Sequence, residues 1–325
     1  MNPHPSRLMA FACLALSMAL VGSYVALSKP LVAVLPVLLL AWLRFGIGML
    51  AMPHWLKKPT GELPWSVATR WLVFAQSLLG NFFFSIFMLF GVSLTSAVTA
   101  GIVMALIPAA VALLSWALLR ERVALRVWLG VALAVLGVTL FMLFKQEQTI
   151  VISIRPLGDS SLDKNFWGVL LLFGAVLCEA AYAVIGKRLT ATLTPKRVAA
   201  VINLWGLVLM TPFGLYLALD FNFSGVPPGS WLLLVFYALA ASVWSVWLWM
   251  TGLKSIPAAQ AGVFTVMLPI SSALTGLVFL GESISGFQAL AFAIALAGVV
   301  LAAGSSEGKQ TEKTTFTNEK SRFPL

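Results

Sequence analysis

The chain has 325 residues, 60% of them hydrophobic and only 10% charged, more apolar surface than a single soluble core of this length can bury, so it belongs in a membrane. Its net charge of +10 is largely explained by basic residues gathered on one side of that membrane, so nucleic acid is not implied as a partner. The two cysteines, Cys13 and Cys178, fall in different apolar stretches and read as small apolar residues without a disulfide.

Crossing the hydrocarbon layer takes about 20 apolar residues in a helix, and ten stretches are predicted to do so: 8–28, 33–52, 70–92, 95–118, 124–144, 166–186, 196–219, 229–250, 257–280 and 286–304. Runs such as Val127 to Phe144 are apolar on every face, which excludes alternating barrel strands. The fold class is therefore an all-α polytopic membrane protein. The first stretch reads as a retained helix, because it is longer than a usual signal core and Lys29-Pro30 follows it. It carries Tyr24, and the second carries Arg44 near its middle. Gln76, Asn81, Phe83 and Phe84 belong to the third, Thr99 and Pro108 to the fourth. The fifth has a face of small residues, Ala132, Ala134 and Gly137. A mixed-charge loop, Lys145 to Asn165, reads as an external connection to the sixth stretch, which carries Glu179 and Tyr182. The eighth holds Ser242, Trp244, Ser245, Trp247 and, close to its end, Trp249, which reads as an interface anchor. Gln260 and Pro269 lie in the ninth, and Ala293, Ala295 and Gly298 repeat the small-residue face in the tenth. The polar tail, Ser305 to Leu325, is expected to be disordered.

Residues 91–140 reappear 161 positions later as 252–301, with Gly91/Gly252, Gly101/Gly262, Pro108/Pro269, Glu121/Glu282 and Gly137/Gly298 in register. With an odd number of spans per copy the two halves lie upside down to one another, an architecture that encloses a midplane site in many carriers. The expected organisation is a first five-helix repeat over 1–147, a connecting loop over 148–165, a second repeat over 166–304 and a cytoplasmic tail over 305–325. The repeat extends weakly to Tyr24/Lys29 and Tyr182/Lys187, each a Tyr five residues before a Lys. Those lysines read either as inverted counterparts or as side chains snorkelling to the interface. A cytoplasmic N-terminus places sixteen basic residues inside and leaves only Lys29, Lys145, Arg155 and Lys164 outside, so both termini are expected in the cytoplasm of a bacterial-type inner membrane.

The five-plus-five plan, Ala97-x-x-x-Gly101 and Pro108 followed by Glu121-Arg122, and Ala258-x-x-x-Gly262, Pro269 and Gly281-Glu282, with Leu43-Arg44-Phe45, resemble the drug/metabolite transporter superfamily and, more narrowly, an EamA-type ten-helix metabolite exporter. The resemblance covers 8–304. It implies two inverted repeats, spans one, three, four, six, eight and nine around a central cavity, and spans five and ten set aside. It also implies cargo ranging from amino acids and other metabolites to drug-like cations. The glutamate in Cys178-Glu179-Ala180-Ala181-Tyr182 departs from many relatives, which have an uncharged residue or Trp there, so no relative's substrate transfers directly.

Of the eleven acidic residues only Glu179 stands deep within a predicted span. A charge at the centre of a membrane helix costs about 2.5–3.5 kcal/mol on insertion scales. Three readings stay open: it binds a substrate ammonium, carries a coupling proton, or donates a structural hydrogen bond between helices. Arg44 cannot discard its charge and would pair with Glu179, meet a substrate carboxylate, or be anchored by backbone carbonyls. Asn81, Gln76, Phe83, Phe84, Thr99, Ser242, Trp244, Ser245, Trp247 and Gln260 complete the expected lining with Tyr24 and Tyr182, although for any aromatic, packing or lipid contact competes with substrate stacking. Pro108 and Pro269 each remove a backbone donor and suit a hinge or a static kink. Glu121 and Glu282, at helix ends, read as caps or salt-bridge partners.

No phosphate-cradling Gly-x-x-x-x-Gly-Lys motif is present, so ATP hydrolysis in this chain is not expected, and nothing points to an enzyme, a cofactor or a metal site. The expected function is a secondary transporter moving an amino acid or related amine by alternating access, as an exporter coupled to a proton gradient, working as a monomer or homodimer in membrane lipid. An integral-membrane enzyme acting on a lipid-linked substrate and a non-transporting scaffold are the competing readings.

Overall fold

The computed structural model describes residues 6–62, 64–94, 103–147, 160–279 and 285–304, and these form helices with no strand among them. In a hydrocarbon layer this is the arrangement that satisfies each segment's backbone polar groups internally. The main helices are α1 (Arg7–Leu27), α2 (Val37–Ala51), α3 (Val67–Ser77, Leu78–Phe83 and Phe84–Leu94), α4 (Ile107–Leu114, then Ser115–Leu119), α5 (Leu125–Glu147), α6 (Ser160–Thr190), α7 (Pro195–Asp220), α8 (Pro228–Ala238, Leu239–Trp244 and Ser245–Ser255), α9 (Ala258–Gly262, Val263–Val266 and Met267–Phe279) and α10 (Gly286–Ala303). Among the described residues seven helices are long and apolar enough to cross a membrane, and three shorter apolar ones lie at Val37–Ala51, Ile107–Leu119 and Leu125–Phe141. The protein is thus an all-α, multi-pass membrane protein. Leu50, Leu219 and Leu232 point outward at 83%, 77% and 76% exposure, as lipid-facing side chains do.

Local chemistry sets the helix starts. Ser66 and Thr194 cap α3 and α7 by accepting from the amides of Thr69 and Arg197, and Ser285 forms a capping box with Gln288 at the start of α10. Pro195 and Pro228 occupy first-turn positions, where a missing N–H costs nothing.

The sequence repeat reappears in the helix winding. In α3 a π-helical turn at Leu78–Phe83 is flanked by Val67–Ser77 and Phe84–Leu94. In α8 the π turn at Leu239–Trp244 is flanked by Pro228–Ala238 and Ser245–Ser255, every boundary shifted by the same 161 positions. Equivalent helices also pack against each other in opposite directions. Across α2 and α7, Phe45 meets Gly206 while Trp42, earlier in α2, meets Gly214 and donates to Thr211 Oγ1 at 3.2 Å. Across α5 and α10, Gly130 meets Gly298 and Ala302, Gly137 meets Ala291 and Ala295, and the Phe141 and Phe292 rings stack at 4.3 Å. Helices related by the repeat run antiparallel, so the two copies are inverted.

Glycine is required where α5 and α10 cross. A Cβ on Gly298 would lie 2.6 Å from the Gly130 carbonyl oxygen and 2.8 Å from the Ala134 amide nitrogen, backbone atoms with no freedom to swing away.

Several predicted boundaries shift. The sixth helix runs from Ser160 to Thr190, longer at both ends than 166–186, and the eighth continues to Ser255 rather than stopping at 250. Thr99, Glu282, most of the central loop and the tail lie outside the described residues, as does the Lys29 side chain.

Candidate functional site

A cavity of about 640 Å³ occupies the middle of the molecule and extends toward the end marked by Val25 and Met88. Every helix from α1 to α9 contributes to its wall, and α10 does not. Val21, Met88, Met104, Ile107, Val138, Val246 and Leu268 make most of the wall apolar. The 3-10 turn Val263–Val266 of α9 and the start of α4 bring backbone close to it, and Pro108 and Pro269 both line it. Each proline sits where regular winding is interrupted: Pro108 in the first turn of Ile107–Leu114, Pro269 just after the 3-10 turn.

Most polar side chains on the wall are committed to protein. Ser17 donates to the Ser245 carbonyl at 2.7 Å, Asn203 to the Ala199 and Ser242 carbonyls at 2.8 Å each, and Asn81 to Ser77 Oγ and the Ile202 carbonyl at 3.3 Å. These bonds tie α1 to α8, α7 to α8 and α3 to α7, which fixes the shape of the wall.

Glu179 and Arg44 are different. Glu179 lines the cavity and makes no hydrogen bond or ion pair with a described residue. Arg44 lines the same cavity, its guanidinium lies 4.2 Å from the centre of the Phe45 ring, and its buried Nε has no acceptor. Stacking on an aromatic face offsets part of the cost of holding that cation out of water. Tyr24 and Tyr182 share the wall with both charges, and Tyr24 is held edge-on against Tyr237 with ring centres 5.3 Å apart. The cavity therefore offers one carboxyl group, one guanidinium, two phenols and an apolar surround.

Tyr24, Asn81, Phe84, Glu179, Tyr182, Ser245, Arg44, Pro108 and Pro269 come together on this wall. Gln76, Phe83, Ser242, Trp244, Trp247 and Gln260 do not. Gln76 is fully buried and donates to the Tyr182 carbonyl at 3.1 Å, so its amide positions α6 behind the cavity. Gln260 is buried and donates to the Ala302 carbonyl, joining α9 to α10. Phe83 stacks on Phe87 at 5.7 Å, away from the cavity that Phe84 lines. Trp244 is 40% exposed, edge-on to Phe236. Trp247 sits beside Trp55 with the Lys196 ammonium 5.8 Å from its ring centre. Among the described residues no cluster of His, Cys, Asp and Glu is suited to a metal ion.

Trp249 corrects the sequence reading. It is no interface anchor: it is 3% exposed, lines the cavity, and its indole Nε1 has no acceptor. The signal present was the four-residue spacing of Ser245 and Trp249, which puts both on one face of the helix Ser245–Ser255 and on the cavity wall.

The EamA-like transporter family model matches residues 8–143 and 166–304, the two halves of the repeat. The chain is 30% identical over 296 residues to the uncharacterized transporter YetK of Bacillus subtilis (strain 168), an alignment spanning 89% of this chain and 85% of YetK. It is 32% identical over 146 residues to the threonine/homoserine exporter RhtA of Salmonella typhimurium (strain SL1344), covering 44% of this chain and 48% of RhtA. A protein of known crystal structure shares the fold with a TM-score of 0.71 at 21% identity, over 91% of this chain and 97% of its own. An inverted helical duplication around a largely apolar central cavity, matched by the family model in both halves, makes this chain a member of the EamA-like transporter family within the drug/metabolite transporter superfamily.

Proposed function

We propose that this transporter is a secondary carrier that exports a small amino acid or related amine across a bacterial-type inner membrane by alternating access, with both termini in the cytoplasm. The observation that carries the reading is the pair of unpartnered, oppositely charged side chains, Glu179 and Arg44, on one largely apolar cavity. A zwitterion answers both: its ammonium approaches Glu179, its carboxylate approaches Arg44, and its side chain contacts Trp249 and the apolar wall. Either charge left dry and alone would be costly in the membrane. The name of RhtA, a threonine/homoserine exporter alike over about half its length, supports the same substrate class. By the alternation of spans, a cytoplasmic N-terminus puts Lys57, Lys58, Arg70, Arg120, Arg122 and Lys187 on the inner side, which supports cytoplasmic termini. Because Glu179 can hold either a proton or an ammonium, binding of one displaces the other, and a proton gradient then drives efflux.

Reconstituted vesicles loaded with radiolabelled amino acids test this. Efflux from wild-type vesicles is expected to respond to an imposed pH gradient, and Glu179→Gln is expected to abolish that response and cut flux at least about tenfold, the effect of losing one charge-assisted contact. Arg44→Met should remove transport of zwitterions while sparing amines that lack a carboxylate. Unchanged flux and pH response in Glu179→Gln would remove the carboxyl group from the mechanism.

A further inference from the structure

The cavity extends toward one end of the bundle, and the opposite end is held by a cluster that plays no part in lining it. The turn between α8 and α9, Ser255 to Pro257, is gripped on both sides. Lys187, from α6, donates to the carbonyls of Leu253 and Lys254 at 2.8 and 3.4 Å. Glu121, from the junction between α4 and α5, accepts from the amides of Ala258 and Ala259 at 3.1 and 3.3 Å and also from Ser115 Oγ. A cation therefore caps the carbonyl end of α8 and an anion caps the amide end of α9, each matched to the local backbone charge. Gly252, one turn before, packs on Ala10 and Leu14 near the start of α1, whereas the cavity is lined by α1 residues from Ser17 to Val25. Between the two levels Phe11 and Phe264 stack at 5.5 Å.

We propose that Glu121 and Lys187 are a releasable clasp that keeps this end shut, and that its breaking opens the cavity to that side. The proposal rests on the alternating-access reading. Glu121 belongs to the first half of the chain and grips the second, so separating the halves at this end must break its bonds. The groups exposed by that separation, the Glu121 carboxylate and the amides of Ala258 and Ala259, are ones that water satisfies, so the clasp can open without leaving orphaned polar atoms. Lys187 and its acceptors both lie in the second half, so Lys187 holds the turn in the position that Glu121 grips. Both sides have somewhere to bend. Glu121 follows a π turn, Ser115–Leu119, and Arg120 in the left-handed region at φ 54°. On the other side the gripped turn leads through five α-helical residues into the 3-10 turn Val263–Val266. A static cap would stabilise the fold; a clasp sets the balance between two conformations.

Spin labels at Arg122→Cys and Lys254→Cys, in full-length chain carrying Cys13→Ala and Cys178→Ala in lipid nanodiscs, report the separation across the clasp. The parent is expected to give mainly a short distance. Glu121→Gln and Lys187→Met should each raise the ratio of a longer to the short component about tenfold, the change expected from losing a hydrogen bond to a charged group. Lys187→Arg, which keeps the donor, should restore the parent distribution. Unchanged distances in Glu121→Gln and Lys187→Met overturn the proposal, and so does a Lys187→Arg distribution shifted as far as that of Lys187→Met. If Lys187→Met does not fold, Glu121→Gln decides alone. The distances are read without substrate, so a protein that carries no amino acid yet opens on mutation would defeat the carrier reading and leave the clasp standing, while intact flux with unmoved labels would defeat only the clasp.

Discussion

Side chains on the cavity wall divide into those that build it and those that remain free to act. Ser17, Asn81 and Asn203 spend their donors on backbone carbonyls of neighbouring helices, so replacing them is expected to disturb packing before chemistry. Trp249 has a buried, unpartnered indole N–H on the wall, whereas Trp244 is 40% exposed. Trp249→Ala is therefore expected to raise the KM for efflux at least about fivefold, a loss of about 1 kcal/mol of contact, while Trp244→Ala leaves it within a factor of two; concentration-dependent flux in vesicles measures both. Glu179 was legible in the sequence because an acid in mid-helix needs a reason. Gln76 and Gln260 resemble it in polarity but donate from their amide NH2 groups to the carbonyls of Tyr182 and Ala302, and nothing in residue type distinguishes an amide that staples helices from one that meets a ligand.

Helix winding decides which of those residues can meet. A π turn inserts one residue into the α-helical count and turns everything after it by about a third of a revolution. In α3 the turn at Leu78–Phe83 brings Phe84, Ser85 and Met88 onto the cavity wall, and in α8 the turn at Leu239–Trp244 does the same for Ser245 and Trp249. Deleting Leu79 is expected to restore regular winding, rotate those residues off the wall and abolish flux while helical content by circular dichroism stays within a few per cent of wild type. Retained flux would show that the turn is dispensable. The apolar pattern specified the helices, but the π turns carry no composition signal, and the predicted end of the eighth helix at 250 placed Trp249 at an interface where the continuous helix to Ser255 buries it. The prolines were legible as winding breaks; the 3-10 turn preceding Pro269 was not.

At the scale of the whole molecule the duplication rests on sequence register and the inversion on antiparallel packing of the equivalent pairs α2/α7 and α5/α10. The α5–α10 seam holds the two copies together through Gly130, Gly137 and Gly298 against backbone atoms. Gly298→Leu is expected to cost at least about 1–3 kcal/mol, the usual penalty of overpacking, and to lower the thermal unfolding midpoint in detergent; an unchanged midpoint would mean that the seam can separate freely. The duplication made the two-copy architecture readable from the chain alone because both copies kept their glycines and prolines at a fixed spacing. What it could not reveal is the asymmetry of the cavity: Arg44 in the first copy and Glu179 in the second have no charged counterparts at repeat-related positions, so each copy brings one charge that the other lacks.

Alternating access requires one cavity to serve both faces of the membrane. A single cysteine at Met104, on the cavity wall, in a Cys13→Ala and Cys178→Ala chain, can be challenged with a membrane-impermeant maleimide from either side of oriented vesicles. Labelling is expected from both sides, with a transported amino acid slowing the reaction on each. Labelling from one side only, with or without amino acid and under either direction of pH gradient, would contradict the account.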